Sequence, residues 1–374
     1  VRKLSVLPVL AALAILVLIA LGIWRGLGHE AGSPEGPSEA IPGMDAPRGD
    51  TTGSLADTSS DPFYGTFETE VMATTVRVLA GTRSDAEAVF HIFHQADGRL
   101  SEWKDSSPLS AVNRAAGGAP VPVPDDLRAV LHRAVEIVRL SDGAFDPTWA
   151  ALWGLWDFRA AEPRVPDADE IARRVAHVDW TRLEIDDEAG TVRLADPGMV
   201  LGLGGIAKGW ALDRAADELR RRAVDSFLIL AGGQVMTGGE RRTAGGSRPW
   251  TVGIRDPRGG PEDFFARVEV VDASLSTSGD YESYFELGGK RYHHILDPRT
   301  GWPSRGLRSA TVISPDATLA DGLSTALMVM DLERGRALVE ELPQVEAVWV
   351  DDRGEVFVSS GMTGRLEMLH PPRR

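Results

Sequence analysis

The order in which helical and strand periodicity alternate along the chain limits its fold more than any other feature. Strand-like runs outnumber helical ones, and the helical ones come in two groups, a pattern that reads as α+β rather than doubly wound α/β. Glu70–Leu79 alternates as a first strand. Ser84-Asp85-Ala86-Glu87 reads as a capping box, opening a helix that packs Val89, Phe93, Ala96 and Leu100 and ends at Ser101-Glu102-Trp103. A loop through Ser107-Pro108-Leu109-Ser110 and Asn113 follows. The next helix starts near Pro124-Asp125, packs Leu127, Leu131, Val135 and Val138, and stops at Asp142-Gly143. Pro166–Ala176 is a short helix, and Leu183–Leu194 a hairpin about Glu188-Ala189-Gly190. Met199–Gly209 runs from a strand into a helix that buries Ala211, Leu212, Ala215 and Leu219. Strands are expected at 227–230, 250–254, 268–271, 309–314, 345–350 and 355–359, with a polar loop at 274–281 and a helix over 318–326. There is no internal repeat.

Composition narrows the function. The net charge is −15 with basic residues scattered among acids, so a nucleic-acid surface is not expected. The chain has no cysteine, which excludes disulfides, thiolate metal sites, a Cys nucleophile and a bacterial lipid anchor. Residues 4–24 carry no charge and would span roughly 30 Å as a helix, with Arg2 and Lys3 ahead of them. A signal-peptide apolar region is shorter and no Ala-x-Ala site follows, so 1–25 is expected to be a retained transmembrane anchor. Residues 26–61 are rich in Gly, Pro, Ser and Asp and read as a flexible linker, leaving 62–370 as the folded domain. The expected location is an inner-membrane anchor with the domain on the periplasmic side.

Several short patterns could carry chemistry. Tyr292–Leu296 holds His293 and His294 and stops in Asp297-Pro298-Arg299-Thr300-Gly301, a rigid turn. It closes a hairpin, or it holds a His or carboxylate against a ligand. Gly202, Gly204 and Ala207 fit G-x-G-x-x-A with Asp225 about twenty residues on, as in a dinucleotide fold. The match stands alone in mid-chain and is followed by strands. A glycine-rich helix N-terminus still suits phosphate. Asp321 and Thr325 share a helix face and could hold a hard cation such as Mg²⁺; alternatively Thr318-x-x-Asp321 is a capping box and Thr325 packs. Gly322 weakens that helix and suggests a close approach. His91 and His94 flank an apolar stripe and read as solvated or core. Gly322–Ala326 lacks the last Gly of a serine-nucleophile elbow. Of Trp149, Trp153 and Trp156, at least two are expected in the core.

Together these motifs resemble the ApbE family, the FAD:protein FMN transferases. The resemblance runs from about Asp61 to Leu369 in the family's order: Met72-Ala73-Thr74 for M-G-T, Leu100–Trp103, Ser107–Asn113, Gly143–Thr148 (G-A-F-D-P-T), Gly204–Gly209 (G-G-I-A-K-G), Ser278–Tyr281, His294–Gly301 and Asp321–Ala326. It implies a T-fold-like mixed sheet with helices. It implies transfer of FMN from FAD, with Mg²⁺, to a Thr or Ser hydroxyl of an acceptor protein bearing a flavinylation motif, such as a redox-chain subunit, with release of AMP. Met72, Trp103, Ala144, Phe145, Asp146, Gly202, Lys208 and Ile295 would line the FAD. Asp321, Thr325 and the Gly205 carbonyl would hold Mg²⁺. His294, at the motif position rather than His293, would be the base on the acceptor hydroxyl, and Asp321 is also placed in the catalytic set.

Two positions depart from the family. Many members have Asp where this chain has Gly202, and Gly where it has Ala73. Either change could shift the activity, so an FAD pyrophosphatase giving FMN and AMP, and a non-catalytic flavin-binding protein, are the alternatives. A dehydrogenase on the Gly202–Ala207 pattern is a further one.

Overall fold

A computed structural model of the protein describes residues 61–374. The expected anchor at 1–25 and all of the expected linker but its last residue lie outside the described residues. Among the described residues no helix is long and apolar enough to cross a membrane.

The centre is an eight-stranded sheet in which spatial order equals chain order. Its strands are β1 (Gly65–Val71), β2 (Thr74–Ala80), β3 (Phe227–Ala231), β4 (Gln234–Gly238), β5 (Ser274–Gly279), β6 (Leu307–Ser314), β7 (Glu346–Asp351) and β8 (Val356–Val358). Every neighbouring pair is antiparallel. The α+β class holds, but the expected mixed sheet is corrected to an antiparallel one. The dinucleotide reading loses its basis as well, because that fold needs parallel strands joined by crossover helices.

Insertions between consecutive strands build the outer layers. The β2–β3 connection carries α1 (Arg83–Leu100), α2 (Pro108–Arg114), α3 (Asp125–Leu140), α4 (Ala168–Val175) and α5 (Ala207–Arg221); the β6–β7 connection carries α6 (Ala317–Val329) and α7 (Leu332–Glu341). The β4–β5 connection carries Trp250–Arg255 and Phe264–Val270, which form a small sheet with Leu366–Met368. Strand alternation decides which layer each face meets. Phe227, Ile229 and Ala231 of β3 join the core under the helices, whereas Leu228 and Leu230 join the core against the small sheet. Because both faces are covered, β3 reads as a continuous apolar run.

Several local expectations change. Glu70–Leu79 is two strands, because Met72 and Ala73 both take positive φ (54° and 55°) and turn the chain. The cap of α1 is Thr82, whose hydroxyl accepts the Asp85 N–H at 3.2 Å. The expected loop at 107–113 contains α2, with Ser107 as cap and Pro108 in the first turn. The expected polar loop at 274–281 contains β5, in the middle of the sheet. In α3, Val135 is half-buried, and Val130, Ala134 and Ile137 complete the packed face.

Candidate active site

The site forms where the N-terminus of α5 meets one face of α6, over β5. A Cβ at Gly209 would lie 2.2 Å from the Ala317 carbonyl oxygen, so only glycine lets the two helices approach this closely. At that contact the Gly209 N–H donates to Asp321 Oδ2 at 2.9 Å, and Asp321 is 5% exposed. Thr325 lies one turn on; a Cβ at Gly205 would be 3.2 Å from its hydroxyl and 3.3 Å from the Phe145 ring. Gly205, Asp321 and Thr325 are therefore brought together as expected. Gly322 answers to a different neighbour: a Cβ there would meet Ile137 of α3 at 2.3 Å, so its closeness is helix packing.

Buried hydroxyls fix α6 against the sheet. Ser324 is fully buried and bonds to Ser276 (3.2 Å) and Ser278 (2.9 Å) of β5. Asp213 on α5 accepts the N–H groups of Ala317 and Thr318, both at 2.8 Å, while Asp316 accepts that of Leu319. The alternative reading of Thr318-x-x-Asp321 as a capping box is thus corrected: Asp316 is the cap, and Asp213 supports it from the neighbouring helix. Burial pushes the Asp213 carboxyl up, with Asp316 adding to the shift.

Lys208, in the first turn of α5, donates to the Gly204 carbonyl at 3.2 Å. Its chain lies 3.9 Å from where a Cβ on Gly232 would be, in the β3–β4 turn. Glu102, Glu282 and His294 all feel its charge. A Cβ on Gly204 would lie 3.6 Å from Glu102 Oε1, and burial pushes this carboxyl up to about 7. His294 is half-buried, its Nδ1 is enclosed without a partner, and burial pushes it down to about 4. It is therefore a neutral imidazole with a free ring nitrogen at pH 7. His293 has neither nitrogen free: Nε2 meets the Ser304 carbonyl at 2.9 Å and Nδ1 accepts the Ile295 N–H at 3.3 Å. The turn after them is held as expected, with the Gly301 N–H on the Asp297 carbonyl at 2.8 Å and Gly301 at φ 72°.

The remaining expected residues differ in how freely they face a ligand. Trp103 is exposed and stacks on Trp153 at 4.6 Å. Trp149 and Trp153 are half-buried and only Trp156 is fully in the core, fewer than expected. Ala144, Phe145 and Ile295 are buried, and Met72 packs half-buried beside its turn. Asp146 is taken up by its own loop, accepting from Thr148 N (2.8 Å), Thr148 Oγ1 (2.6 Å) and Trp180 N (3.3 Å). Met199–Gly209 contains no strand. Asn113 pairs with the Leu201 backbone through both amide atoms, at 2.8 and 2.9 Å, and Trp149 Nε1 donates to the Gly202 carbonyl at 3.1 Å. A Cβ at Gly202 would lie 2.9 Å from the Ala150 methyl, so the indole and Ala150 fill the space a side chain would need.

Glu102, Asp213 and the Ser276–Ser324 contact were not assigned a role from the sequence. Burial of a polar group leaves no periodic signal in a single chain. Among the described residues no group of three or more His, Cys, Asp and Glu could hold a metal ion. Gly205, Asp321 and Thr325 are a different, all-oxygen set.

The antiparallel three-layer fold and a glycine-rich helix N-terminus facing a carboxylate and a hydroxyl define an α+β protein built to cradle an anionic ligand. The ApbE family profile matches residues 68–349, and the chain belongs to that family. It is 38% identical over 306 residues to an FAD:protein FMN transferase of Treponema pallidum, covering 78% of this chain and 84% of the relative. An ApbE protein from Thermotoga maritima, solved as a crystal structure, has TM-score 0.73 and 32% identity over 83% of this chain and all of that one. The flavin transferase ApbE from Vibrio cholerae has TM-score 0.71 and 28% identity, covering 81% of this chain and 99% of that one.

Proposed function

We propose that the protein transfers FMN from FAD to a Thr or Ser hydroxyl of an acceptor protein, forming a phosphoester and releasing AMP. Family membership supports the activity. The observation that carries the chemistry is the convergence of Gly205, Asp321 and Thr325 at the α5 N-terminus, where Lys208 sits in the first turn and its charge reaches His294, whose Nδ1 has no partner. Asp321, Thr325 and the Gly205 carbonyl would hold Mg²⁺. They form an all-oxygen set of the kind a hard cation takes, and Asp321 keeps one oxygen beyond its bond to Gly209. Such an ion neutralises charge on a diphosphate.

The chain's own groups then have distinct tasks. The α5 N-terminus and Lys208 face the diphosphate and stabilise its negative charge. Trp103 and Met72, with Ala144 to Asp146, Gly202 and Ile295, would line the rest of FAD, as the family resemblance implies. His294, neutral at pH 7, accepts the proton as the acceptor oxygen bonds to the FMN phosphorus. The bond from that phosphorus to the AMP oxygen breaks, and AMP leaves. We place the domain on the outer side of a membrane, held by residues 4–24; protease treatment of intact cells and spheroplasts tests this.

Mixing the protein with FAD, Mg²⁺ and an acceptor domain of Asp-Gly-x-x-Thr-Gly-Ala-Thr type, then weighing the acceptor, tests the reaction. A gain of one FMN, lost with EDTA, is expected. AMP and free FMN without a mass gain would replace it by pyrophosphatase activity, and intact FAD by flavin binding alone.

A further inference from the structure

We propose that the acceptor docks as an added β-strand on the free edge of Trp250–Arg255, through an extended acidic segment. The proposal rests on the transferase reading for the identity of the partner. Trp250–Arg255 is an outer strand of the small sheet, with Phe264–Val270 on one side and, among the described residues, no strand on the other. An edge of this kind presents unpaired N–H and C=O groups and is a ready template for another chain. Natural edges are blocked by proline, lysine or a bulge. Here Pro249 precedes the strand and an irregularity falls at Ile254/Arg255, so both devices lie at the ends and the middle is open.

A cavity of about 490 Å³ runs along this edge. Its floor is apolar, from Leu79, Leu230, Val235 and Val252, as a strand with alternating side chains requires. Arg241, Arg248, Arg255 and Arg267 also line it; three of them are ion-paired, Arg241 with Asp61 at 2.8 Å, Arg255 with Glu282 at 3.2 Å and Arg267 with Glu367 at 2.6 Å. Arg248, which is exposed, makes no ion pair among the described residues and is the rim cation left for an occupant. At Arg248 a carboxylate on the occupant finds a partner, whereas an ammonium is repelled.

The groove also leads to the right place. Gly232, Gly233, Thr277, Tyr281 and Glu282 line the same cavity. Gly232 abuts the Lys208 side chain, and Glu282 feels its charge. A strand laid on Trp250–Arg255 thus shares its cavity with residues that border Lys208 and the site where the hydroxyl must react.

The test uses the full protein and two fluorescein-labelled peptides. One alternates valine and glutamate around a single threonine; the other has lysine in place of glutamate. Binding is read by anisotropy, and amide hydrogen exchange is followed over Trp250–Arg255. The acidic peptide is expected to bind and slow exchange there, and the lysine peptide to bind at least about tenfold more weakly. Arg248→Glu should weaken the acidic peptide by a similar factor while leaving the rate of AMP release from FAD unchanged. Thr251→Pro should block docking, and Arg248→Glu, at an exposed position, keeps the test decisive if the proline variant misfolds. Equal binding of both peptides, or unchanged exchange over Trp250–Arg255, would overturn the proposal. Protection of the same amides by concentration alone, without peptide, would overturn it in favour of a second copy. FMN gain by the acidic peptide is weighed separately. Protection without gain on any acceptor sinks the transferase reading and keeps the docking edge; gain without protection does the reverse.

Discussion

Met72 and Ala73 occupy left-handed backbone at a tight turn, where an L side chain crowds the following carbonyl and glycine does not. Ala73→Gly should therefore stabilise the protein by about 1 kcal/mol in urea unfolding, the relief of strain exceeding the entropy of the added freedom. An unchanged or lower midpoint would show that the turn carries no strain. Gly202 behaves oppositely. With Ala150 at 2.9 Å and Trp149 at 3.0 Å from a new Cβ, Gly202→Asp should cost about 1–3 kcal/mol and fail to raise FAD turnover. Gain of turnover without loss of stability would mean that the indole moves aside easily. At His294 the motif position, the neutral form at pH 7 and the unpartnered Nδ1 together make the case for a base. His294→Gln should lower transfer about 10²–10⁴-fold with FAD binding retained, read by single-turnover mass spectrometry and fluorescence titration.

β5 and α6 are the elements on which the site depends, and hydroxyls rather than apolar side chains join them. Ser324 bonds to Ser276, Ser278 and the Asp321 carbonyl, the last at 2.9 Å. Ser324→Ala leaves the two β5 hydroxyls short of a partner and should cost about 1–3 kcal/mol, with weaker retention of FAD as Asp321 and Thr325 loosen. A neutral change would place the rigidity of α6 in its apolar packing. The same two elements show where sequence reading stops. α6 was legible because Asp321 and Thr325 recur at helical spacing. β5 was not, because SLSTSG has too few apolar residues to signal a buried strand, and its burial is stabilised by partners distant in sequence. The helices α1, α3 and α5 were legible from their apolar stripes. The β1–β2 turn was hidden because its two central residues are not of turn type. Within the site, the motifs located Gly205, Lys208, His294 and Asp321. Glu102 carried no signal, since the sequence does not show which carboxylate folding will bury.

At the scale of the molecule, a sheet whose spatial order follows the chain lets long insertions stack helices on one face and a small sheet on the other. The site lies between insertions, so burying its ionisable groups couples it to overall stability. His294 and Glu102 act with opposite sign. His294 falls from 6.5 to about 4 on folding, so between those values the unfolded chain binds more protons and stability rises with pH. Glu102 rises from 4.5 to about 7, so across its interval the folded chain binds more protons and stability falls with pH. The two slopes oppose each other over most of the same range, and the parent should show little dependence from them. Each variant should expose the other group. Glu102→Gln should be more stable than the parent at pH 8 by about 1–2 kcal/mol, the advantage vanishing below pH 4.5. His294→Gln should gain relative to the parent as pH falls from 6.5 towards 4 and match it at pH 8. Urea midpoints across this range, taken as differences from the parent so that surface carboxylates cancel, read both effects. Parallel curves for all three proteins would mean that water reaches both groups in the folded state and that neither is held in the protonation form assigned to it.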